Sequence, residues 1–179
     1  MKQWTFQRRW TFAISVILHA MLLMIVFLLQ GIIFPYLRVS GLVPLLLPIV
    51  STGTAVYQGR DAGGIAGLFA GILCDIAFNE PVGVFTVFLT FTGLLVGIIA
   101  DTVMARGITT YFICCAAVLA LSAFVQMFPL LFFENVPSTP LLFMALRQTI
   151  YSLMYAFPIW FFVRALGKRA QRFLPPGRL

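Results

Sequence analysis

The chain has 179 residues, 61% of them apolar and only 9% charged. Soluble domains run about 45–50% apolar and about 25% charged, so too few polar side chains remain here to cover a water-facing surface. Twelve Lys and Arg against five Asp and Glu give a net charge of +7. The basic residues gather in the tails and short loops, where membrane topology is set, which argues against a nucleic-acid partner. The composition therefore predicts an all-α integral membrane protein, a single polytopic domain over residues 1–179. Six transmembrane helices of roughly 20 residues would take about 120 residues and leave only short loops and two tails.

Lys2, Arg8 and Arg9 precede an apolar run that predicts a first span over 10–29. The run is too long for a signal-peptide core and no small-x-small cleavage site follows, so a retained span is expected. A loop with Pro35, Arg38 and Gly41 leads to a second span, 42–57, in which Pro44 and Pro48 are expected to kink or break the helix. Gln58-Gly59-Arg60-Asp61 reads as a tight polar turn. A short, glycine-rich third span covers 63–78, and Asn79-Glu80-Pro81-Val82-Gly83 is a turn by its Pro81 and Gly83 chemistry. The fourth span runs over 84–100, the fifth over 108–133 and the sixth over 141–166, with a basic tail at 167–179.

With six spans both termini face one side. That side receives Lys2, Arg8, Arg9, Arg60, Arg106, Arg164, Lys168, Arg169, Arg172 and Arg178; the other receives Arg38, with Arg147 if it snorkels. The positive-inside bias places both termini in the cytoplasm.

The sharpest local pattern is Gly63, Gly67, Gly71 and Asp75, each four residues from the last, which lie along one helix face. Gly93, Gly97 and Asp101 repeat it in the next span, and residues 67–75 and 93–101 share five of nine positions when aligned. The two spans run in opposite directions, so the repeat is either inverted, as in transporters, or a coincidence of common membrane residues. A glycine face lets a second helix approach closely, so this stripe is the expected packing or partner interface. Asp75 and Arg147 are the ionisable residues expected within the hydrocarbon at similar depth, and they are expected to pair, with Gln148 or Gln126 nearby. Packing or snorkelling accounts for them as readily as function does. His19 reads as a packed, neutral imidazole, and Cys74, Cys114 and Cys115 as small hydrophobes. Spacings for hydrolase, phosphate-binding or metal chemistry are missing, so neither an enzyme nor a cofactor or metal site is expected.

The run from Gly64 to Ile76, followed by Pro81-Val82-Gly83 and Thr92-Gly93-Leu94-Leu95-Val96-Gly97, resembles the rod shape-determining protein MreD family. The tight match covers about residues 63–97, and the span number, short loops and cytoplasmic termini extend it loosely over the chain. The resemblance implies a bacterial cytoplasmic (inner) membrane protein with a bundle similar to the substrate-binding S-components of energy-coupling-factor transporters. It implies a non-catalytic part of the rod complex, or elongasome, which organises peptidoglycan cell-wall synthesis and cell shape. The implied partners are an MreC-like single-span protein, MreB, RodA and a class B penicillin-binding transpeptidase; a homodimer stays open. In that reading the glycine face docks a partner's transmembrane helix. The alternative is a substrate-binding subunit of an energy-coupling-factor vitamin transporter. The basic tail either binds a cytoplasmic partner or holds topology against anionic membrane lipids.

Overall fold

The computed structural model describes the backbone of residues 2–32, 44–78, 83–102, 107–133 and 138–172, with side chains placed for 15–32, 44–78, 83–102, 107–126 and 142–165. These residues form six α-helices and, among them, no strand: α1 (Lys2–Ile32), α2 (Leu46–Gln58), α3 (Arg60–Phe78), α4 (Val84–Thr102), α5 (Ile108–Phe133) and α6 (Ser138–Arg172). Among the described residues, four stretches are long and apolar enough to cross a membrane: Ser15–Ile32 of α1, α3, α4, and Ile108–Gln126 of α5. The chain is a helical membrane protein. α1 starts eight residues before the expected first span, and α6 overruns the expected sixth at both ends.

The short helix α2 is the centre of the molecule. Every residue from Leu46 to Val56 is buried, and each of the other five helices packs against α2. At 13 residues it is about 20 Å long, short of the roughly 30 Å hydrocarbon thickness. Of the two outcomes expected for its prolines, a kink within the helix is not what forms. Pro44 precedes the helix and Pro48 stands in its first turn, where backbone N–H groups have no intrahelical partner to lose. The prolines therefore open the helix instead of kinking it. Its start is held from outside: Leu45 N–H donates to Ser152 Oγ of α6 at 2.9 Å. The buried hydroxyls are satisfied within α2, since Ser51 and Thr52 both donate to Pro48 O and Thr54 to Val50 O. That is what a helix without access to water requires.

The joint between α2 and α3 is one residue long. Gly59 has φ +91°, a backbone conformation closed to most side chains. Its N–H closes α2 on Ala55 O at 3.0 Å, and its carbonyl opens α3 by accepting from Gly63 N–H at 3.0 Å. Around this centre, α3 and α4 form an antiparallel hairpin, α5 pairs with α6, and α1 lies against α2, α3 and α6. α1 turns Ser15, His19, Leu23 and Gln30 inward and leaves Ile17, Met21, Met24, Ile25 and Leu28 exposed. That apolar exterior is the surface expected of a helix facing lipid.

Candidate functional site

The glycine stripe is consumed between α3 and α4. A Cβ on Gly63 would stand 2.7 Å from Gly93 O and 2.6 Å from Ala55 Cβ. One on Gly67 would strike the Leu89 carbonyl, and one on Gly71 the backbone of Phe85 and Thr86. Each four-residue step along α3 therefore meets a four-residue step back along α4, the register of antiparallel helices touching backbone to backbone. From the other side, a Cβ on Gly93 would strike Gly63 O, and one on Gly97 would lie 2.5 Å from Arg60 Cα. Such contacts bring Cα–H groups against carbonyl oxygens and supply dispersion that lipid cannot replace. The expectation that this face receives a partner's helix is corrected: the second helix is α4 of the same chain.

One step further in that register, Asp75 meets the start of α4. Its Oδ1 accepts from Phe85 N–H at 2.9 Å. Its Oδ2 accepts from Gly83 N–H at 3.1 Å, Thr86 N–H at 3.2 Å and Thr86 Oγ1–H at 2.6 Å. The buried carboxylate thus caps α4 from the neighbouring helix, against the positive end of the α4 dipole. Gly83 permits the approach through its φ of +106°. Pro81, the other turn residue singled out in the sequence, lies outside the described residues, as do Asn79, Glu80, Glu134 and Asn135.

The expected pairing of Asp75 with Arg147 is also corrected. Among the described residues α3 has no contact with α6, and the Asp75 oxygens are taken by α4. Arg147 is exposed, its guanidinium 5.8 Å from the Phe143 ring centroid. Gln148 donates to Gln126 Oε1 at 3.2 Å, which ties α6 to α5 and leaves both glutamines away from Asp75. The two halves of the nine-residue repeat are used differently, since Asp101 is exposed where Asp75 is buried.

A second polar cluster was not legible as such. His19 Nδ1 lies 2.9 Å from Ser15 O, Gln58 Nε2 lies 2.7 Å from His19 Nε2 and 2.9 Å from Nδ1, and Ser15 Oγ donates to Gln58 Oε1 at 2.8 Å. With the ring proton on Nδ1, the Ser15 carbonyl accepts it and Nε2 accepts from Gln58. This closed circuit joins α1 to the end of α2. The four-residue spacing of Ser15 and His19 put both on one face, but nothing in the sequence paired them with Gln58. A cavity of about 10 Å³ adjoins the circuit, lined by Val16, Leu23, Thr54, Ile65 and Phe69, and it has space for a single water. The three cysteines are buried, and among the described residues no group of three or more His, Cys, Asp or Glu could hold a metal.

No protein-family model, curated protein or solved structure matches this chain.

Proposed function

We propose that this is a non-catalytic assembly protein of the MreD type, a six-span component of a rod complex in a bacterial inner membrane, with both termini cytoplasmic. The observation that carries the reading is the α3–α4 hairpin. The residues that resemble that family, Gly67, Gly71, Asp75, Gly83, Gly93 and Gly97, fall into one physical unit instead of scattering over the bundle. Asp75, His19 and the cysteines are spent on holding the bundle together, which suits a scaffold better than a reaction site. The vitamin-transporter alternative needs a metabolite-sized outward cavity. Among the described residues, the cavity beside His19, between the middle of α1, the last turns of α2 and the first half of α3, is water-sized.

In this reading an MreC-like single-span protein and cell-wall synthases dock on the exposed exterior of the bundle, because the glycine face is occupied. The test is affinity purification of the full chain from its own bacterium in mild detergent, with mass spectrometry of proteins and small molecules. Recovery of a single-span MreC-like protein with RodA, a class B penicillin-binding transpeptidase or MreB is the expected result. Recovery of ATPase subunits with a stoichiometric metabolite would replace this reading with the transporter one.

A further inference from the structure

Where α2 stops, α6 carries an arrangement that the assembly role does not use. The Trp160 indole N–H donates to Tyr57 Oη at 2.7 Å, across from α6 to α2. The Arg164 guanidinium lies over the face of the same indole, 4.9 Å from the ring centroid, and Arg164 is exposed. Tyr57 has accepted from the indole, and among the described residues no acceptor takes the Tyr57 hydroxyl proton. One ring therefore has a fixed cation on its face and an O–H donor at its edge. α6 continues to Arg172, and its sequence places Lys168 and Arg172 at four-residue steps beyond Arg164, with no acidic residue after Glu134. Phe157, three residues before Trp160 towards the middle of α6, and Phe161, directly after it, are exposed.

We propose that Tyr57, Trp160 and Arg164 form a seat for the phosphate of an anionic phospholipid. The guanidinium and the phenol O–H are donors to the phosphate oxygens, and the acyl chains lie along Phe157 and Phe161. An anionic headgroup fits better than a zwitterionic one, because the following turns of α6 offer positive charge and nothing to receive an ammonium. The exposed phenylalanines favour a lipid over free phosphate. The inference rests on α6 crossing the bilayer.

The experiment uses the full chain with Trp4→Phe and Trp10→Phe, so that Trp160 is the sole indole, reconstituted in vesicles. Tryptophan quenching by chain-brominated phosphatidylglycerol is compared with quenching by chain-brominated phosphatidylcholine at equal mole fraction. The expected result is a preference of about fivefold for phosphatidylglycerol, the weight of one basic side chain at an anionic surface. Arg164→Gln should bring the preference close to one, and Arg164→Lys should restore part of it. Tyr57→Phe should give an intermediate value. Thermal unfolding in detergent confirms that each variant is folded. Equal quenching by both lipids, or a preference retained in Arg164→Gln, overturns the seat and leaves the six-span reading standing. Loss of the preference to excess inorganic phosphate assigns the seat to free phosphate and overturns the lipid. No quenching by either lipid removes α6 from the bilayer, and both readings fall together.

Discussion

Asp75 shows how a membrane helix can carry a carboxylate without a basic partner. An intramembrane charge costs at least about 2.5–3.5 kcal/mol on insertion scales. Here four donors at the start of α4 offset that cost, three of them backbone N–H groups that no residue within α4 could satisfy. The sequence placed Asp75 on the glycine face but suggested the wrong partner, because matching charge to charge at equal depth ignored the partial positive charge of a helix start. The signal was present eight residues on, in Gly83, and then in Thr86. Asp75→Asn turns one acceptor into a donor facing N–H groups. It should lower stability by about 2 kcal/mol, the scale of hydrogen bonds to a charged group, read as a lowered thermal midpoint in mild detergent. The double reversal Asp75→Arg with Arg147→Asp should lose at least as much folded protein as the two singles together, since the sites share no partner. Recovery of folded yield in that double variant would restore the discarded pair.

At the scale of elements, spacing revealed that a helix docks on Gly63, Gly67 and Gly71 but could not say whose. Chain connectivity decides it. Only a few residues separate α3 from α4, and a tether that short gives the neighbour an effective concentration no separate partner matches. The prolines of α2 were legible as a disturbance, and the error was to place them inside a longer helix instead of at the start of a shorter one. Boundaries are where a sequence pattern says least, because Pro is compatible with the first turn and hostile to the next. The hairpin makes a graded prediction. Gly67→Ala and Gly71→Ala each drive a methyl into rigid backbone of α4, and each should cost about 1–3 kcal/mol through overpacking. Gly31→Ala, where an added Cβ meets nothing within 4 Å, should leave the midpoint unchanged or raise it slightly. Partner capture in the Gly67 and Gly71 variants should then fall only as far as folded protein falls. Capture lost from a fully folded variant would return the stripe to a partner.

Across the whole molecule, composition was enough for a helical membrane protein, since 9% charged residues cannot clothe a soluble surface. Composition could not reveal that the second helix is a buried plug, because an uncharged run whose few hydroxyls bond within the helix reads alike whether it faces lipid or protein. α2 reaches about two thirds of the way across a bilayer, so the six-span topology depends on the chain before Pro44 covering the remainder. The distribution of Lys and Arg predicts an orientation independently, and the two arguments meet at definite positions. The α2–α3 joint should be cytoplasmic, while the start of α4 and the early part of α6 should lie towards the outside. With Cys74, Cys114 and Cys115 replaced by Ala, single cysteines at Asp61→Cys, Val84→Cys and Leu142→Cys test this with a membrane-impermeant maleimide. All three positions are exposed, so reactivity reports the side of the membrane and not access through the bundle. Val84→Cys and Leu142→Cys should label in intact cells, and Asp61→Cys only after the membrane is opened. If Asp61→Cys and Val84→Cys label from the same side, α3 does not cross. If all three labels invert together, the crossings stand and the charge bias has been read with the wrong sign.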